Sequence, residues 1–394
     1  MKTFVVLLGL AALLEGQTIS IAADPDPVKL SDQGLQAYYQ ARYQEAEALY
    51  RRALEAYDSL EPPKPADRAI TVTNLATLLR AEARYPEAET LLLDRLRQAE
   101  AAAGPDSLDV GRAAAGLAAL YWACEQVPKA ESFALRADAI FDRQLTGRAI
   151  ARVNNWSFLA SVYIAEARYP EAEALLRKVL DGADDLIAAG AYNELSVLAL
   201  RRNDLSTAES FARRGLEAAS RVTSTQHPMR AVALNNLAQI CRFQRRYQEA
   251  EKYYREAIAI WSDSLGPQHP SVAKAYTNLA ALCHERGREA AAEDLYRRAA
   301  ASLESAYGKN SPLALVARNE LADVLRAEGR LTESEKLGTA TLASLQQTLP
   351  PQDPRVVRAL ENRVRVLDST RRGTEAAALR NQIQSMSLGL RNTQ

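Results

Sequence analysis

The chain has 394 residues, 47% of them apolar, which is enough for two or three globular domains or for one elongated repeat array. Lys+Arg and Asp+Glu both total 49, so the formal charge is zero and the basic excess that tight nucleic-acid binding draws on is absent. Aromatics are only 6% and mostly Tyr, a mix that suits closely packed helices rather than a β-sandwich.

Residues 1–23 read as a Sec-type signal peptide: Lys2, the apolar run Phe4–Leu14, a polar stretch Glu15–Ser20, and the small residues Ala22 and Ala23. The run is shorter than the roughly 17 apolar residues a bilayer span needs, and no Cys follows it to carry a lipid. The chain is therefore expected to be exported, periplasmic or secreted, with no membrane span after cleavage. Residues 24–29, with Pro25 and Pro27, read as a short extended leader.

Residues 30–385 are one unit written nine times. The stretch AEARYPEAE occurs at Ala81–Glu89 and again at Ala165–Glu173. Aligning the copies gives a column Ala46, Ala88, Ala130, Ala172, Ala208, Ala250, Ala292, Ser334 and Ala376, spaced by 42 residues except for 36 before Ala208. That break is expected to shorten one loop. Glu follows the column at Glu47, Glu89, Glu131, Glu173, Glu209, Glu251, Glu293 and Glu335, where a solvated face and the N-terminal helix dipole account for it.

A second column lies 13 residues upstream, from Leu75 through Leu117, Leu159, Leu195, Leu237 and Leu279 to Leu321, each followed by Ala or Ser. Small residues in register allow two helix backbones to approach closely. Each unit therefore reads as two antiparallel helices, and a fixed period of this length signals a solenoid. Gln33 and Arg363 replace Leu in the end units, as solvent-facing caps require. Residues 386–394 read as a C-terminal tail.

This pattern resembles the tetratricopeptide repeat. The 42-residue period and the loop GPQHPSVA (Gly266–Ala273) resemble the repeats of kinesin light chains more specifically. The resemblance implies an all-α, right-handed superhelical solenoid of about nine helix-turn-helix units. The heptad-rich segment that precedes kinesin light chain repeats has no counterpart here. Pro228, Pro270, Pro312 and Pro354 are expected in the first turn of the first helices, and Pro86 and Pro170 in that of the second.

No catalytic constellation emerges, and neither a cofactor nor a metal is expected. His227 and His269 sit in the repeated HP loops and read as turn residues. His284 follows Cys283, but neighbours on a helix diverge and no second ligand pair accompanies them. Cys241 and Cys283 share a register with Leu79, Tyr121, Tyr163, Leu325 and Leu367, so they read as buried thiols. The sequon Asn155-Trp156-Ser157 lies within a predicted helix.

Binding is where the residues say more. In arrays of the resembled kind the first helices line a concave groove, and the residues facing it precede the Ala column by about 18, 15, 14, 11 or 8 positions. Those registers hold Asn74, Asn193, Asn235, Asn236, Asn278, Asn319 and Asn362, with Gln239, Arg80, Arg242, Lys274, His284 and Arg326. An amide both donates and accepts, so a row of asparagines suits the backbone of an extended peptide; the resemblance implies the same use. Packing or local capping by these asparagines is the other reading. Repeats 6 and 7 have the least mixed set, so an extended, modestly acidic peptide is expected there. Trp122, Phe158 and Phe243 are expected to form apolar pockets in the same trough. The functional expectation is a non-catalytic scaffold for a protein or peptide ligand. A self-assembling structural or adaptor solenoid of the cell envelope is the alternative, and an enzyme the least favoured.

Overall fold

The computed structural model describes residues 26–391 apart from 41, 83, 125, 148 and 223–226; the signal-peptide reading of residues 1–23 lies outside the described residues. Among the described residues there are eighteen α-helices and no strand. The first helices of nine successive pairs are α1 (Pro27–Tyr39), α3 (Pro65–Ala81), α5 (Leu108–Ala123), α7 (Ile150–Ala165), α9 (Asp185–Arg201), α11 (Pro228–Phe243), α13 (Pro270–Glu285), α15 (Pro312–Ala327) and α17 (Pro354–Ser369). The second helices are α2 (Tyr43–Asp58), α4 (Tyr85–Ala103), α6 (Val127–Gln144), α8 (Tyr169–Leu180), α10 (Leu205–Val222), α12 (Tyr247–Leu265), α14 (Glu289–Tyr307), α16 (Leu331–Thr348) and α18 (Gly373–Arg391). The chain is an all-α helical repeat solenoid.

The two sequence columns are its packing contacts. Every member of the Ala46-to-Ala376 column is fully buried, and the Leu75-to-Leu321 column is at most 4% exposed. Gly34 takes the small position in the first repeat, where a Cβ would lie 2.7 Å from the Tyr50 ring. Cys241 and Cys283 are buried beside these columns.

The hairpins of the fourth to ninth repeats each turn through one residue in the left-handed region, five positions before the Ala column. Glycine fills it at Gly287 and Gly329, but Ala167, Asn203, Arg245 and Arg371 adopt it too, with φ near 60°. The turn is closed by a backbone bond across it, such as Arg246 N to Cys241 O at 2.8 Å and Arg288 N to Cys283 O at 2.9 Å. This is the hydrogen-bond pattern with which helices commonly end.

The HP loops are helix caps. His227 and His269 accept through Nδ1 from Met229 N and Ser271 N at 3.2 and 3.1 Å. Ser311 and Asp353, at the same register, cap α15 and α17 with side-chain oxygens. Proline follows at the first helical position, where a missing N–H costs nothing.

Three details differ from the sequence reading. Pro27 begins α1, with Asp26 accepting from Val28 N at 3.1 Å, so residues 27–29 are a capped first turn and not an extended leader. At the other end α18 continues past residue 385 to Arg391. The 36-residue break shortens a helix: α8 has 12 residues, whereas α6 and α10 have 18, and the loop after it is of ordinary length.

Successive first helices lie against one another, as α9 does against α11, while the second helices of neighbouring repeats are spread apart. The first helices therefore form the inner, concave layer. The array curves far enough for its seventh repeat to touch its first. Ala306 of α14 packs against the buried cluster containing Ala37, Tyr43 and Tyr50.

A ladder of ion pairs links the repeats on the hairpin side. Arg84 reaches back to Glu47 (2.8 Å), Arg168 to Glu131 (2.6 Å), Arg246 to Glu209 (2.8 Å), Arg288 to Glu251 (2.8 Å) and Arg330 to Glu293 (2.9 Å). Arg372 reaches Glu335 in the same way. Where the arginine is missing, at Gln126 and Asp204, the upstream glutamate takes Tyr121 Oη (2.8 Å) or Arg202 (3.0 Å) instead. The repeated Glu is thus an inter-repeat tie, more than a solvated face.

Candidate functional site

Between α9, α11 and α13 the concave layer opens into a trough of about 660 Å³. Leucine and alanine fix the buried faces of these helices, which leaves the remaining registers to line the opening. It brings together five of the predicted residues, Asn235, Asn236, Gln239, Lys274 and Asn278. Val197, Leu200, Arg201, Asn203 and Leu205 from the preceding repeat, and Phe243, complete it.

The floor is internally satisfied. Asn278 Nδ2 donates to Asn235 Oδ1 at 3.0 Å, and Asn235 is only 6% exposed. This bond ties α13 to α11 and fixes the spacing of the walls. Above it, Asn236, Gln239, Lys274 and Arg201 have side chains that form no hydrogen bond or ion pair among the described residues. Phe243 is 53% exposed at the rim. The trough therefore presents two amides, two cations and an aromatic ring to solvent.

One acid faces this set. Burial pushes the Glu194 carboxyl up, and Ser161 (Oγ donating at 3.3 Å) and Lys274 pull it back only in part. Arg242 contributes little free charge, because Glu285 binds its Nε and Nη2 at 3.0 and 2.6 Å.

The other predicted residues stand apart from the trough. His284 is held on both ring nitrogens, Nδ1 by Glu289 at 2.5 Å and Nε2 by Asp323 at 3.5 Å. Asp323 foremost, then Glu289, raise the imidazole to about 9 against the opposing pull of burial. Asp323 itself is 2% exposed. Burial would push its carboxyl up, but His284, Arg326 and Arg365 outweigh it and hold the acid well below the usual range. Arg326 is committed to that acid at 2.8 Å. His284 thus clamps α13, α14 and α15 together, while Arg326 pairs with Asp323 within α15.

Asn193 and Asn319 are packing residues, at 4% and 2% exposure. Asn193 donates to the Met229 sulfur at 3.7 Å, and Asn319 donates to Glu320 at 3.3 Å. Asn362 donates to the Asn319 carbonyl at 3.1 Å, a link between neighbouring repeats. Asn74 is half-buried on α3, far along the array. Arg80 donates to the Ala119 carbonyl at 3.2 Å and lines a different cavity. Trp122 and Phe158 stack edge to face at 6.1 Å in the third and fourth repeats, so only Phe243 of the three aromatics borders the trough. Asn155 is buried and donates to the Ala134 carbonyl at 3.0 Å, as a helical core position.

Arg201 and Asn203 are the polar lining residues that the register rule leaves out. Arg201 lies seven positions before Ala208, beside the registers used, at the end of α9, and Asn203 lies in the turn that follows.

Among the described residues no helix is long and apolar enough to cross a membrane. Comparison with curated proteins finds no match. Among solved structures the chain is similar to a Rap protein complexed with Competence and Sporulation Factor, at 14% identity over 91% of this chain and 99% of that one, with a TM-score of 0.55. It is similar to aspartyl phosphate phosphatase F from Bacillus subtilis, at 14% identity over 94% and 96%, with a TM-score of 0.54. A putative kinesin light chain from Podosopora anserina with nearly identical TPR-like repeats matches at 20% identity over 51% and 95%, with a TM-score of 0.44. Family models described as tetratricopeptide repeat match residues 156–186, 229–305 and 296–354. The helical pairs in those segments, which include α11 and α13 of the trough, are tetratricopeptide repeats.

Proposed function

We propose that this chain is a non-catalytic scaffold that holds an extended protein segment in the trough between α9, α11 and α13. The observation that carries the reading is the row of unsatisfied polar side chains, Asn236, Gln239, Lys274 and Arg201, above a floor whose own amides are paired. Amide groups that donate and accept bridge a peptide backbone irrespective of its side chains. Each such bond contributes only about 0.5–1.5 kcal/mol net, so affinity rests on several in a row. The two cations, which form no ion pair among the described residues, favour an acidic side chain, and Phe243 with Leu200 offers an apolar neighbour a place to bury. Proteins built of tetratricopeptide repeats generally serve as interaction scaffolds and not as enzymes.

Selection from a random peptide library against the purified protein tests the reading. Enriched peptides that carry an acid next to an apolar residue support it. Enrichment of basic peptides, or of none, contradicts it. Residues 1–23 are read as an export signal; N-terminal sequencing of the protein from its producing cell supports this with a start near Ala23 or Asp24, and contradicts it with Met1.

A further inference from the structure

The place where the array meets itself holds a second cavity, of about 380 Å³, separate from the trough. One wall comes from the beginning of the chain, with Tyr38 of α1, Arg80 of α3 and Tyr85 of α4. The opposite wall comes from the end, with Tyr307 of α14, Leu313 of α15 and Arg355 of α17. Cavities of this size at the junction of two structural units commonly take small ligands.

Its chemistry is specific. Arg80 donates one bond, to the Ala119 carbonyl, and forms no ion pair with a carboxylate among the described residues. Arg355, by contrast, is neutralised by Asp353 through two contacts, at 2.8 and 2.6 Å. One uncompensated guanidinium therefore faces a chamber walled by tyrosines. Burial pushes the Tyr307 phenol up to about 12, and raises Tyr38 too, while Arg80 pulls both back in part. Both phenols thus stay protonated at neutral pH and are hydrogen-bond donors. A cation and two neutral donors in a chamber walled by tyrosine rings are complementary to an anion with an apolar body. A guanidinium pairs best with a planar acid that takes two of its N–H groups.

We propose that this seam cavity is a binding site for an apolar carboxylate, with its acid group on Arg80 and its body between Tyr38, Tyr85 and Tyr307. The carboxylate belongs either to a free aromatic acid or to the C-terminus of a peptide that ends in an apolar residue. Because the walls come from opposite ends of the chain, an occupant ties the first repeats to the seventh through ninth and stabilises the closed turn.

Calorimetric titration of the full chain with phenylacetate, and with a short glycine peptide ending in phenylalanine, tests this, each beside its amide. Saturable binding of the free acid with loss in the amide supports the site, and whichever acid binds identifies the source. Arg80→Gln is expected to weaken binding about tenfold or more, as loss of a charged partner does. Leu313→Trp, at a residue 53% exposed, is expected to block the cavity without touching the core. It decides the matter if Arg80→Gln fails to fold by circular dichroism. Absence of saturable binding by either acid, or equal binding to acid and amide or to wild type and Leu313→Trp, overturns the proposal.

Discussion

Arg246 of the sixth repeat donates to Glu209 of the fifth at 2.8 Å, and Glu209 also accepts from Arg213 and Gln244 at 2.6 and 3.0 Å. Burial pushes the Glu209 carboxyl up, but these three donors outweigh it and hold it at about 2, against an ordinary 4.5. A lowered carboxylate stabilises the fold above its unfolded value and loses that contribution as pH falls through the folded one. Unfolding midpoints in urea should therefore fall between pH 4.5 and 2, and Glu209→Gln should flatten that fall. The pair is partly exposed, so a double-mutant cycle with Arg246→Ala is expected to give a coupling of about 1 kcal/mol or less.

His284 carries the opposite sign. Its imidazole, raised from 6.5 to about 9 by Asp323 and Glu289, stabilises the fold fully below 6.5 and loses that contribution as pH rises through 9. Chemical denaturation between those values should show declining stability, and His284→Gln should remove the decline. A decline that persists unchanged in the variant would locate the titrating group elsewhere.

Ala88 has no exposed surface and faces the Leu75 and Ala76 columns across the hairpin. Ala88→Leu is expected to overpack that contact and cost about 1–3 kcal/mol, measured by denaturant unfolding.

Ala167 occupies the left-handed region, with φ at 58°, where Gly287 and Gly329 stand in later repeats. A Cβ in that conformation costs about 1–2 kcal/mol, partly offset by the greater freedom of glycine in the unfolded chain. Ala167→Gly should therefore raise stability by about 0.5–1 kcal/mol, visible as a higher melting temperature.

The packing columns were legible because close backbone approach admits only small side chains at Ala88 or Ala250, so the period repeats with a single break. The site was legible only in part, since Asn235 and Asn236 differ by one residue, or about 100° around the helix. That rotation turns Asn235 into the floor and leaves Asn236 open, although both belong to the groove registers. His284 looked solitary because Glu289 lies across the hairpin turn at the start of α14 and Asp323 comes from α15, 39 residues on. The arginine ladder stands four positions before most members of the Ala column, yet its partner lies in the preceding unit, so the local EAE pattern concealed it. The 36-residue break was visible as a number, but only the bounds of α8 place it in a helix.

The central claim is that the open polar row of α11 and α13 holds a peptide. Calorimetric affinity of a library-selected acidic peptide for wild type and for the Asn236→Ala, Lys274→Ala double variant tests it most directly. Among the described residues neither side chain forms a hydrogen bond or ion pair, so the variant should fold normally. The account predicts binding weakened about tenfold or more, from one lost amide contact and one lost charge-assisted contact. An affinity unchanged between the two proteins would contradict it and move binding away from the trough.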